Sequence, residues 1–184
     1  MKHCYLLLTL LLLCACGGKK ESLPQEQGPS QQAYGVIISE SQMGKSEWLL
    51  TTKLAKFYDA QQLVDLSSPH LIFNKNGMED STIKADDGRY DMQENLITML
   101  GGVKGSSEKQ DVTIKTNKIY YDIKRKVIWT DNDVTVTRGG VTVKGKGIKA
   151  DSALSEIEII KQETQLPKEL QELKSAVRTY DEPN

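Results

Sequence analysis

No cysteine lies beyond residue 16, and past His3 the chain has a single histidine, His70. A disulfide framework needs paired cysteines in the folded part, and a zinc centre needs clustered Cys or His ligands, so neither is available. The same shortage removes a Cys/His dyad. A Ser/His/Asp triad would rest on His70 alone, which follows Pro69, precedes the strand-like Leu71-Ile72-Phe73 and reads as a strand-entry residue. Large aromatics are also scarce: two Phe and two Trp among 184 residues are fewer than a compact enzyme interior of this size usually contains, which favours a thin sheet structure. Neither sign of charge dominates. With 24 Lys+Arg against 25 Asp+Glu, a net charge of -1, no strong field draws the protein to nucleic acid or to an acidic surface. Long apolar runs are missing except at the start, where 12 of residues 1–15 are apolar.

That start has the layout of an export signal. Lys2 and His3 precede the apolar run Tyr5 to Leu13, too short to span a bilayer comfortably as a helix, and small Ala15 precedes Cys16. Leu13-Cys14-Ala15-Cys16 is similar to the bacterial lipobox, with a Leu three positions before the modified cysteine and Cys14 at a position where Ala or Ser is commoner. The similarity implies cleavage after residue 15, lipidation of Cys16 and a membrane anchor of more than one acyl chain. Plain secretion with Cys16 as a leftover thiol is the other reading. Residues 16–46 are rich in Gln, Ser, Gly, Pro and Lys, with one weak apolar patch at Tyr34 to Ile38. Such composition buries too little apolar area to fold alone and predicts a tether.

From residue 47 to 161 apolar and polar residues alternate, the period of half-buried strands. Trp48, Leu50, Thr52 and Leu54 begin the series, and Val112 to Thr116, Val134 to Val136, Val141 to Val143 and Ile157 to Ile159 continue it. Turn signals at Asn76-Gly77, Asp87-Gly88, Gly101-Gly102 and Arg138-Gly139-Gly140 divide the region into about ten short strands, roughly 8 to 12 residues apart, which predicts an antiparallel sandwich, jelly roll or barrel. An internal repeat supports this: Ile83-Lys84-Ala85-Asp86 recurs as Ile148 to Asp151, and Tyr58-Asp59 as Tyr121-Asp122. In residues 162–184 the pattern changes. Leu166, Leu170, Leu173 and Val177 fall at helical spacing behind Pro167, predicting a short amphipathic helix or tail that caps its own domain or meets a partner.

Carboxylates are plentiful at predicted strand ends (Asp86, Asp87, Asp91, Asp131, Asp133, Asp151). Paired acids could serve a glycosidase, but Asp-Asp and Asp-Asn-Asp are also ordinary turn chemistry. Lys144-Gly145-Lys146-Gly147 lacks the spacing and the Ser/Thr of a phosphate-binding loop, and its glycines mark a bulge or a close backbone approach. Nothing calls for a catalytic residue, cofactor or metal.

An ordered set of short motifs remains. An export signal is followed by Trp48-Leu49-Leu50 with Leu54-Ala55 and Tyr58, Leu66 to Pro69, Ile83-Lys84-Ala85-Asp86, Ile97 to Val103, Thr116 with Ile119 and Tyr121, Thr130-Asp131, and Gly145 to Ile148. This order resembles the LptC family, related to the OstA/LptA proteins, over roughly Glu47 to Lys161. The departure is the anchor, a lipobox where well-known members carry an uncleaved transmembrane helix. The resemblance implies an open, V-shaped β-jelly roll with lipopolysaccharide acyl chains between its sheets. It also implies non-catalytic transfer from an inner-membrane ABC transporter to an LptA-like periplasmic bridge protein, with no nucleic-acid partner. It favours an inner-membrane anchor, the outer membrane remaining possible. An OstA-like scaffold lipoprotein at the outer membrane and a carbohydrate hydrolase are the competing readings.

On the conduit reading the groove is lined by one parity of each strand: Trp48, Leu50, Ile97, Met99, Val103, Ile114, Tyr121, Val134, Val136, Val141, Val143 and Ile159. No bulky aromatic is expected to plug it. Two sheet edges are expected to be open for strand addition, one near Trp48 to Leu54 and one near Val141 to Ile160. The resemblance directs the first to the transporter and the second to the bridge protein, with Gly145 and Gly147 on the second edge admitting the partner strand.

Overall fold

The computed structural model describes residues 28–42 and 44–163. They form strands and turns with one 3-10 turn at Asp59–Gln61. The strands are β1 (Gln31–Gln42), β2 (Lys45–Tyr58), β3 (Leu63–Ser67), β4 (His70–Lys75), β5 (Met78–Lys84), β6 (Asp87–Asp91), β7 (Leu96–Ser107), β8 (Val112–Asp122), β9 (Val127–Arg138), β10 (Val141–Asp151) and β11 (Ile157–Glu163). Every pairing is antiparallel.

The topology is simpler than eleven strands suggest. Along β2, β4 pairs with Trp48 to Thr51 and β3 with Leu54 to Tyr58, so β3 and β4 run end to end as one interrupted strand. β5 and β6 do the same: β5 pairs with β4, β6 with β3, and both with β7. Among the described residues the sheet is therefore a meander of nine long strands whose free edges are β1 and β11.

The long strands are interrupted at a common level. In β1, Gly35 has φ 61 and lies between the Tyr34–Leu54 and Val36–Thr52 pairs. Ser68 (φ 52) separates β3 from β4, and Ala85-Asp86 separates β5 from β6. Gly101 and Gly102 have positive φ where the β7–β8 register shifts, the β8–β9 register shifts between Thr116 and Tyr120, and Gly147 (φ 80) marks the shift in β10. These bends recur about every 16 residues and line up across the sheet as a crease. Hydrogen bonds pin it: Thr52 Oγ1 donates to the Ser67 carbonyl (2.8 Å), Ser68 N–H to Asp86 O (2.7 Å) and Asp86 N–H to Gly101 O (3.0 Å). A side chain at Gly101 would meet Asp86 Oδ2 at 2.9 Å.

The crease folds the sheet into two limbs. Phe73 on β4 and Tyr121 on β8 are three strands apart in the sheet, a distance of about 14 Å in a flat one, yet their ring centroids are 4.7 Å apart, edge to face. The fold class is the expected one, an antiparallel all-β folded sheet with open edges.

Several local expectations differ. Gly101-Gly102 is a bend inside β7 rather than a turn, and Asp87-Gly88 lies within β6, where Gly88 is buried and a Cβ would come within 2.9 Å of Thr98 O. Glycine at positive φ or at a close approach reads as a turn in sequence, so a bend inside one strand looks like a boundary between two. Asn76-Gly77 and Gly139-Gly140 do turn hairpins, β4–β5 and β9–β10. The expected tether at residues 16–46 overlaps β1: Val36 and Ile38 pack on the core, and β1 pairs along β2. The segment is too polar to fold alone, but β2 supplies its hydrogen-bond partners. At the other end Gln162 belongs to β11 rather than to the tail. The signal peptide, Cys16 and the stripe from Leu166 to Val177 lie outside the described residues.

Candidate functional site

Each limb turns its apolar parity inward, and the two inward faces meet. Leu50 and Phe73 come from one limb, Ile97, Met99 and Tyr121 from the other, and all are buried. Across the crease β8 and β10 each run one residue shorter than the β7 and β9 segments they pair with, and their inward parity switches, so that Val112 and Ile114, then Ile119 and Tyr121, are buried on the same strand. Without that switch the second half of β8 would present its apolar side chains to solvent.

Nine of the twelve sequence-predicted lining residues lie together in this interior: Trp48, Leu50, Ile97, Met99, Val103, Ile114, Tyr121, Val134 and Val136 are buried. Val143 and Ile159 are half-buried. Val141 is not part of the lining, being 66% exposed, because it sits beside the β9–β10 turn, paired with Arg138. Sequence reasoning missed Phe73 and Tyr90. Phe73 alternates with Leu71 in β4 and was legible in principle. Ile148 was hidden by the parity switch at Gly147.

The interior is closed, contrary to the expectation of a lining free of aromatic plugs. Trp48 packs edge-on against Tyr90 at 6.5 Å, beside the Phe73–Tyr121 pair. Burial pushes the Tyr90 and Tyr121 phenols to higher pKa, with the nearby Glu40 carboxylate adding to the effect. Trp48 Nε1 donates to Glu40 Oε2 (2.8 Å), tying the seal to β1. Polar contacts latch the rim: Lys126 pairs with Glu47 at 2.7 Å, and Arg138 donates to the Leu154 and Ser155 carbonyls at 2.6 and 3.2 Å. Ser81 also donates to the Ser152 carbonyl. Outside the aromatic seal lies an open concavity of about 570 Å³ bordered by Ile38, Glu40, Trp48, Tyr90, Ile123 and Lys126.

The glycines placed at the partner edge are not at an edge. β10 is flanked by both β9 and β11, and a Cβ on Gly145 would lie 2.5 Å from Ile159 Cγ2 and 2.6 Å from Lys161 O. At Gly147 the Ile160 side chain comes to 3.0 Å. Both glycines admit the chain's own β11. The first edge is likewise displaced outward, from β2 to β1, where Tyr34 and Ile37 are 82% and 65% exposed.

The carboxylates of Asp91 and Asp151 accept backbone N–H groups of their own turns, at 2.9 to 3.0 Å. Among the described residues no group of Cys, His, Asp and Glu is arranged to hold a metal ion, and no helix is long and apolar enough to cross a membrane. What the site offers chemically is a closed apolar interior, sealed by aromatics and bordered by the edge strands β1 and β11.

A search of curated proteins finds no match. Among solved structures the fold is similar to LptH of Pseudomonas aeruginosa, described as the LptA-homologous periplasmic component of the lipopolysaccharide transport device. Identity is 12% and the TM-score 0.49, over 61% of this chain and 80% of that one. The family profile described as lipopolysaccharide-assembly, LptC-related, matches residues 4–166, and the chain therefore belongs to the LptC family of lipopolysaccharide-assembly proteins.

Proposed function

We propose that the protein is a non-catalytic, lipopolysaccharide-binding component of the transenvelope export bridge. It takes lipid from an inner-membrane ABC transporter and passes it to an LptA-like periplasmic protein. The observation that carries this reading is a continuous apolar interior between two limbs of one sheet whose outer strands, β1 and β11, are both unpaired on one side among the described residues. Acyl chains entering between the limbs would exchange Phe73–Tyr121 and Trp48–Tyr90 contacts for lipid contacts, each buried methylene contributing about 0.8 kcal/mol. Strand addition at β1 would face the transporter, and at β11 the bridge protein. Cys16 carries the lipid anchor on this reading, holding the domain at the periplasmic face of the inner membrane.

Photo-crosslinking tests the role. A photoreactive residue at Met99 or Val143 is expected to capture lipopolysaccharide in cells, whereas one at outward-facing Thr98 is not. A folded protein with no adduct at either inward position would overturn the conduit and leave the scaffold reading in its place.

A further inference from the structure

Rows of directly paired residues cross the outer face of each limb, and the two limbs differ in charge. On the limb that holds β3 and β6, Lys56 stands opposite Asp65 and Asp65 opposite Arg89, with Arg89 and Asp65 joined at 2.7 Å. Alternating signs are the pattern of a solvated face, since opposite charges across strands attract. On the limb that holds β4 and β5 the alternation is absent. Lys84 of β5 is opposite Lys104 of β7, and Lys104 is opposite Lys115 of β8; Thr135 of β9 comes next, then Lys144 of β10. All four lysines are exposed, while Ile83, Val103 and Ile114 beside them turn inward. Like charges placed directly opposite one another destabilise a sheet, and among the described residues Lys84, Lys104 and Lys115 form no ion pair. The adjoining row is uncharged: Thr82, Ser106, Thr113, Thr137 and Thr142. Of the nearby acids, Asp80 is buried and held by Lys109 at 3.5 Å, and Asp133 stands opposite Lys146. On β11 the row ends at Glu163, opposite Lys144. In a chain of net charge -1 the row is a local concentration of one sign.

We propose that this lysine row docks the outer face of its limb on a bilayer containing anionic phospholipid. Four strand spacings separate Lys84 from Lys144, about 19 Å, so the cations meet a surface of distributed negative charge rather than a single anion. Each lysine brought to such a surface raises affinity by about fivefold. In the other direction the row runs through His70 and Thr51 to Ile37 on β1, which is 65% exposed. A bilayer accepts an aliphatic side chain beside the cations, whereas a soluble polyanion offers it nothing. The row lies on the opposite side of the sheet from the apolar interior, so docking stands apart from the transfer role proposed above.

Amine acylation read by mass spectrometry tests the surface, with the full chain reconstituted on vesicles of phosphatidylcholine alone or of phosphatidylcholine with phosphatidylglycerol. A lipid anchor holds the chain equally on both, so only the headgroup charge differs. At low salt Lys84, Lys104, Lys115 and Lys144 should be labelled at least ~5-fold more slowly on the anionic vesicles, and high salt should remove the difference. Lys56 and Lys149 on the other limb should label alike on both. Lys104→Glu should lose the protection at Lys84, Lys115 and Lys144 without lowering Tm, because the new carboxylate stands between two lysines. Equal labelling of the row on the two kinds of vesicle would overturn the proposal, as would equal protection of Lys56 and Lys149 or protection retained in Lys104→Glu. Protection by a soluble oligonucleotide as strong as that by the anionic vesicles would also overturn it, assigning the row to a soluble polyanion.

Discussion

Replacing Phe73 by alanine tests whether the two limbs form one packed core. The side chain is 3% exposed and meets Tyr121 edge to face at 4.7 Å across the fold. Truncating a buried phenylalanine costs about 3–5 kcal/mol when the surroundings cannot collapse, of which the aromatic pair supplies about 1 kcal/mol. At about 2.1 cal/mol/K per residue over the roughly 135 described residues, that lowers Tm by about 10–18 °C. Circular dichroism melts and urea unfolding with an unchanged m-value should report the same loss. The cavity should also remain apolar and accept a fatty acyl chain, so decanoate should raise Tm of Phe73→Ala more than that of the unaltered protein. Two results would refute the reasoning. One is a loss below ~1 kcal/mol. The other is strict additivity with Tyr121→Ala in a double-mutant cycle, since groups in contact couple.

Gly147→Ala should cost about 2–3 kcal/mol, because φ is 80 and Ile160 stands 3.0 Å from the new methyl, whereas Gly139→Ala in an open turn should cost about 1 kcal/mol; equal losses in urea unfolding would remove the close-approach argument. His70 has its pKa lowered from 6.5 by burial and then by Lys84. The folded chain therefore binds the proton less readily than the unfolded one, and this contribution to stability is complete above about pH 6.5 and declines as pH falls toward the lower folded value. Melts from pH 7.5 to 5.0 should show a shallower decline for His70→Gln, and parallel curves would contradict it. Cys16→Ser should abolish lipid labelling and leave a precursor or a soluble form; unaltered processing in the presence of a signal-peptidase inhibitor of the globomycin type would refute the lipobox assignment.

Strand character was legible from Trp48 to Ile159 because half-buried strands write their two faces into alternate residues. The hairpin at Arg138-Gly139-Gly140 was legible because its turn demands residues tolerant of positive φ, and the structure gives both glycines that conformation. Gly101-Gly102 carries the same local signal and has another role. Its bend lies inside β7, where Asp86, in the break between β5 and β6, packs against it and donates its N–H to the Gly101 carbonyl, a contact that no local reading contains.

The repeated motifs illustrate the division. Tyr58 ends β2, with Asp59 opening the 3-10 turn, and Tyr121-Asp122 ends β8, while Asn76-Gly77 and Gly139-Gly140 turn the hairpins that follow, so the recurrence in the sequence is a recurrence of strand order. Strand identity, the inward membership of Leu50, Met99 and Ile114, and the family follow from the sequence by itself, since alternation and turn chemistry are local. The strand at Gln31–Gln42, the parity switches in β8 and β10, the aromatic seal and the location of the free edges were decided only in three dimensions. Each depends on which strand lies alongside and on where the crease brings Phe73 against Tyr121, and those distances are set by the folded sheet rather than by neighbours in the chain.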